Sequence, residues 1–134
     1  MNTSRVIAAA LAVPFALALA GCAQPGSTSA DDPIIRYDWD ADGPAMLALL
    51  TTTLELNNGC LMGEGGQFIA FPRDLATWNA DDQTLEYGGE TFAVGDTINA
   101  GGGGGSLPEG ATVPAGCDLA DDGAVWLVQT TTLS

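Results

Sequence analysis

Asp38, Asp40 and Asp42 alternate with other residues and are followed by Gly43. Alternate carboxylates can converge on a hard cation, and glycine permits a sharp turn, which is how an EF-hand calcium loop opens. The twelfth position of such a loop falls on Leu49, where a bidentate glutamate is required, and Pro44 and Met46 fit the loop poorly. A looser calcium site on Asp38, Asp40 and Asp42 therefore stands as the alternative to an acidic, solvated lead-in, with Tyr37 and Trp39 packing on the rim of the fold. The acid pairs Asp81/Asp82, Glu86/Glu90 and Asp121/Asp122 are of the type used to hydrolyse glycosides. The first and last of these fall in expected turns, where acids are ordinary. Residues 101–105 are five consecutive glycines. A phosphate-binding loop would add a lysine and a Ser or Thr opening a helix, but here Ser106 is followed by Leu107 and Pro108. The run reads as a flexible loop after a strand over 94–98, or as a place where two backbones approach closely. Among Trp39, Trp78 and Trp126, Trp78 is the best candidate for stacking on a glycan or peptide, since it lies in an expected loop after Pro72. Core or rim packing is the plainer reading for each tryptophan.

The residues that are missing narrow the chemistry further. The 134 residues contain no histidine and no lysine; three arginines stand against 17 acids, for a net charge of −14. A Ser-His-Asp triad, a Cys-His pair, a histidine-ligated zinc and a Schiff-base lysine are all excluded. Such a charge repels phosphate backbones, so no nucleic-acid partner is expected. No catalytic residue can be assigned, and the expectation is a protein that is not an enzyme.

The N-terminus carries the most specific signal. Arg5 is followed by an apolar run over residues 6–20, interrupted only by Pro14. Its length suits a signal-peptide core better than a membrane span, which needs about 20 residues. The run ends in Leu19-Ala20-Gly21-Cys22. This resembles the lipobox of bacterial lipoproteins, in which the cysteine sulfur takes a diacylglycerol and becomes the mature N-terminus. The resemblance implies a signal peptide over 1–21, lipidation at Cys22, and a cell-membrane location on the extracytoplasmic face. An ordinary secretory signal cleaved after Ala18-Leu19-Ala20 is the alternative. Residues 22–33 then form a lipidated cysteine and flexible tether, and residues 34–134 a single small domain. The mature side chains would carry 2 − 17 = −15. Anionic headgroups would repel that charge, so the lipid itself would be the contact with the membrane.

With Cys22 lipidated, Cys60 and Cys117 are the two remaining thiols, and export places them in an oxidising compartment. A disulfide is expected; two free thiols or two metal ligands are the alternatives. About a hundred residues can bury only a modest core, which a staple would support. The domain reads as β. Residues 51–56 alternate and lead into Asn57-Asn58-Gly59, a hairpin turn. Residues 45–50 are read as the start of that same long strand. Residues 67–71 form a strand stopped by Pro72. Residues 84–87 and 90–94 flank Gly88-Gly89, which pairs Tyr87 with Glu90 and Leu85 with Phe92. Residues 124–129 are apolar on both faces, as a central or covered strand would be. Short strands separated by turns indicate a closed or nearly closed small barrel.

A wider resemblance runs over residues 46–130. Its markers are residues 54–61, Phe71-Pro72, Trp78, Gly88, residues 94–98, glycines 101–105, Cys117 and residues 125–128. Together they resemble a small exported domain of actinobacterial lipoproteins with no assigned function. The resemblance implies a mainly β, disulfide-pinned, OB-like barrel, and supplies no catalytic residue. The expected function is a non-catalytic structural or binding domain, lipid-anchored in the cell envelope, whose partner is a protein or an envelope polymer. The alternative is a calcium- or ligand-dependent extracellular binding module using residues 38–43. No other cofactor is expected.

Overall fold

The computed structural model describes residues 32–120 and 123–134. The signal peptide, Cys22, nearly all of the tether and the Asp121/Asp122 pair lie outside the described residues. The chain joins the fold at Asp32 and Pro33, slightly earlier than expected. Pro33 is buried, and its carbonyl accepts the Leu61 N–H at 2.9 Å.

Nine strands follow one another: β1 (Ile35–Tyr37), β2 (Ala48–Asn57), β3 (Cys60–Gly63), β4 (Gln67–Pro72), β5 (Ala76–Asn79), β6 (Thr84–Tyr87), β7 (Glu90–Ala93), β8 (Thr97–Ser106) and β9 (Ala124–Val128). The two hairpins expected from local turn chemistry form, the second in the expected register. Asn58 and Gly59, at φ 53° and 79°, join β2 to β3 with Asn57 opposite Cys60. Gly88 and Gly89 join β6 to β7 with Tyr87 opposite Glu90 and Leu85 opposite Phe92. β2 begins at Ala48, so residues 45–47 are not part of the strand.

Five strands close a barrel. β2 pairs with β3, β3 with β4, β4 with β9, β9 with β8, and β8 with β2. All these pairings are antiparallel except β4 with β9. Counting only the barrel strands, the order is first, second, third, fifth, fourth, with the third and fifth parallel. This is an OB-like barrel. β1 adds to β4 in parallel, and β5, β6 and β7 form a separate three-stranded meander inserted between the third and fourth barrel strands.

Two apolar clusters result from strand alternation. The inner one contains Leu54, Leu61, Ile69, Phe71, Leu85, Tyr87, Ile98 and Val128, so the meander supplies part of the barrel core. The other lies on the opposite face of β4 and β9 and contains Ile35, Tyr37, Cys60, Ala70, Cys117, Val125 and Leu127. Leu107, Ala111 and Leu119, from the connection between β8 and β9, pack on it. β9 is therefore covered on both faces, as its composition indicated.

The five glycines are not a flexible loop. Residues 101–105 lie inside β8, pairing with β9 from Gly102 onward, and the segment 94–96 before β8 is a turn. The other sequence reading, close backbone approach, is what occurs. A Cβ on Gly102, at φ 152°, would collide with the Leu127 carbonyl oxygen, and one on Gly103 with the Met46 thioether. Only glycine lets the strand pass so close to its neighbours as the barrel closes.

Candidate functional site

Cys60 and Cys117 form a disulfide with their Cα atoms 4.9 Å apart. Cys60 opens β3 beside the β2–β3 turn, and Cys117 lies in the connection from β8 to β9. The staple therefore ties these two loops together, and Gly116 fits tightly against the Asn58 carbonyl oxygen. In OB barrels these loops, with the second and third strands, are the usual ligand surface. Here the connection folds over the outside of β4 and β9, buries the disulfide and fills that surface with the chain's own side chains.

A groove remains beside the β2–β3 turn. Its volume is about 420 Å³, and it is lined by Pro33, Leu56, Gly59, Trp78, Ala80, Asp81 and Gln83. Trp78 belongs to β5, not to a loop as expected from its distance after Pro72. It pairs with Leu85 of β6, is half-buried and packs on the inner core. Strand pairing and core contact thus hold the indole in place while part of it faces the groove. The β5–β6 turn is shaped by Asn79, whose Oδ1 accepts the N–H groups of Asp81 and Asp82, each at 3.1 Å. Its Nδ2 donates to the Asp82 carboxylate at 3.2 Å. Asp82 thus completes the turn, Asp81 faces the groove, and Gln83 leaves the turn at φ 52°. An aromatic wall with one carboxylate and one amide can stack on a sugar or peptide face and hydrogen-bond its polar edge. None of these lining residues is a cation, which makes them a poor match for an anionic ligand.

The three alternating aspartates are not brought together. Asp38 Oδ1 accepts Arg73 Nε at 2.9 Å. Arg73 also donates to Thr112 Oγ1 at 2.8 Å and to the Gly110 carbonyl at 2.9 Å. Asp40 Oδ1 accepts the Asp42 N–H at 3.0 Å, forming a local turn. Among the described residues, no three His, Cys, Asp or Glu side chains form a group able to hold a metal ion. A smaller cavity of about 200 Å³ lies between Asp38, Trp39, Ala41 and residues 72–75, and Arg73 already places a positive charge there. Glu86 and Glu90 do not face each other across the meander; Glu86 is opposite Thr91 and Glu90 opposite Tyr87.

Sequence reasoning did not anticipate the structural use of both arginines. Arg36 of β1 pairs with Asp32 at 2.7 Å and donates to the Ala76 carbonyl. Arg73 ties the end of β1 to the β8–β9 connection. A clue lay in the composition, since each arginine of the domain has many carboxylates from which to draw a partner. Two tyrosines also act as clips. Tyr37 donates to the Val128 carbonyl at 2.5 Å and Tyr87 to the Thr130 carbonyl at 2.6 Å. Burial pushes the Tyr37 phenol up to about 12, against a smaller opposing effect of the Gln129 hydrogen bond. Burial raises Tyr87 further, helped by the neighbouring Tyr37. Comparison with known protein families, with curated proteins and with solved structures found no match.

Proposed function

We propose that this is a lipid-anchored extracytoplasmic envelope protein whose barrel is a non-catalytic binding domain, with the groove at Trp78 as its contact site. The observation that carries the reading is the groove itself. It places a strand-held indole beside a carboxylate and an amide, next to the turn that the disulfide braces. A brace of this kind lowers the ordering cost of binding. The absence of histidine and lysine from the sequence, and the use of both remaining arginines in structural contacts, favour binding over turnover. The anchor rests on Leu19-Ala20-Gly21-Cys22. The ligand class that suits the groove is a neutral or cationic glycan or peptide segment of the cell envelope. The groove supports this reading better than residues 38–43 support the calcium-dependent one, because Asp38 already has a cationic partner.

Two measurements test the proposal. A fatty-acid probe fed to the producing cells labels the wild type and not Cys22→Ser; labelling of Cys22→Ser contradicts lipidation. Neutral and cationic wall-polymer fragments are then titrated against the full-length protein, with tryptophan fluorescence as the readout. Binding by the wild type and its loss in a folded Trp78→Ala supports the groove, whereas equal binding by both contradicts it.

A further inference from the structure

The β8 strand is paired along only part of one edge. It pairs with β2 from Thr97 to Gly102, while its pairing with β9 runs on to Ser106. Over residues 103–106 the edge facing the β2 side has no strand partner among the described residues. The lead-in to β2 does not fill it. Pro44 has no N–H to offer, and the Met46 N–H turns instead to Gln129 Oε1 at 2.6 Å.

Gly103 is buried against Met46, but beyond it this edge lacks the usual protections. Open edges are normally blunted by lysine, proline, a bulge or a covering element. Residues 104–106 are exposed, and the edge consists of three glycines and a serine. A Cβ on Gly104 would meet nothing within 4 Å, so no described residue lies over that position. Alongside, Leu47 is 96% and Leu49 67% exposed, an apolar flank for alternate side chains of an added strand. The flanking charge has one sign. In the sequence Asp40 and Asp42 precede β2 and Glu109 follows β8, and Arg36 and Arg73, the two arginines among the described residues, are paired with Asp32 and Asp38.

We propose that residues 104–106 of β8, flanked by Leu47 and Leu49, dock an extended peptide segment of a partner protein in which apolar and basic residues alternate. Main-chain hydrogen bonds to the open edge hold the segment, and its apolar residues cover the two leucines. Its basic residues suit the net negative charge of the domain, in which Glu109 lies three residues beyond Ser106. Charge complementarity favours such a segment over a second copy of this chain, which would bring the same acids to the same edge. This surface is separate from the Trp78 groove and stands or falls independently of it.

The probe is an acetylated and amidated octapeptide of alternating lysine and valine, titrated into the full-length protein and followed by amide NMR and hydrogen exchange. Controls are the glutamate-valine analogue and a lysine-valine peptide N-methylated at alternate residues. The lysine-valine peptide should shift the amides of residues 104–106 and slow the exchange of those facing outward, and should bind more weakly as salt rises. The glutamate analogue and the N-methylated peptide should bind at least about tenfold more weakly. Gly104→Lys, whose side chain enters open space and keeps the fold, should also weaken binding about tenfold. The proposal is overturned if the peptide does not bind, if N-methylation or Gly104→Lys leaves binding unchanged, if the shifts fall at Trp78, or if sedimentation shows the protein pairing with itself through this edge.

Discussion

The loop flank of the barrel and the open edge of β8 are built from the same chain but held in opposite ways. On the first, a disulfide, Arg73 with its three acceptors, Arg36 and the Tyr37 hydroxyl bind β1 and the β8–β9 connection onto the barrel. On the second, glycines run past the last β2 rung with one edge unpaired among the described residues. The difference shows how an acidic chain with two domain cations distributes specific contacts. They close the surface that an OB barrel usually presents and leave two others, the Trp78 groove and the β8 edge, outside these contacts.

The largest test of this contrast is removal of the staple. Cys60→Ala/Cys117→Ala should lose about 4 kcal/mol of unfolding free energy, from the loop-closure entropy of a 57-residue separation. Chemical denaturation would check it; a loss below about 1 kcal/mol would mean that the other contacts close the flank unaided. The glycines supply a paired test inside one strand. Gly102→Ala forces a Cβ onto the Leu127 carbonyl and should cost roughly 3 kcal/mol. Gly104→Ala enters open space and should be neutral or stabilise by a few tenths of a kcal/mol. Equal effects would remove the distinction between the closed and open parts of β8.

Arg73→Ala should cost about 1 kcal/mol, since its ion pair with Asp38 is solvent-exposed and its remaining contacts are hydrogen bonds. Exchange of the neighbouring Thr112 amide, bonded to the Arg36 carbonyl, should accelerate in the variant. Tyr37 adds a pH signature. Its phenol is raised in the folded state from 10.0 to about 12, so the folded protein holds the proton more tightly. The tyrosine's contribution is complete below pH 10 and declines between pH 10 and 12, as the unfolded chain ionises first. Thermal melts across that window should fall in the wild type and fall less in Tyr37→Phe. The smallest effect is expected from calcium. With Asp38 paired to Arg73, millimolar calcium should leave the melting temperature within error of a chelator control, and a rise of several degrees would restore residues 38–43 as a metal site.

The sequence made local features legible and long-range ones largely illegible. The turn at Asn57-Asn58-Gly59 could be located from its residue types, and Gly88-Gly89 could be placed with its cross-strand partners because a two-residue turn fixes register by itself. Cys60 and Cys117 could be paired because few thiols were available. Residues 101–105 could not be recognised as strand, because the reason for glycine there is the Leu127 carbonyl, some twenty-five residues later in the chain. β1 was missed for a related reason: three residues carry no period, and their partner, β4, is defined only by the fold. Trp78 was identified as a surface candidate but assigned to a loop, since its strand is visible only through its pairing with β6. The three aspartates suggested a cation, and the structure supplies a guanidinium to one of them.

The contrast between flank and edge is tested most directly by residue-resolved amide exchange on the full-length protein under native conditions. Leu61, Arg36 and Cys117, whose N–H groups bond to Pro33, Thr112 and Pro114, should exchange slowly. The outward-facing amides of residues 104–106 should exchange orders of magnitude faster. Uniform protection of both regions, or fast exchange at Leu61 and Arg36 with the disulfide intact, would contradict it.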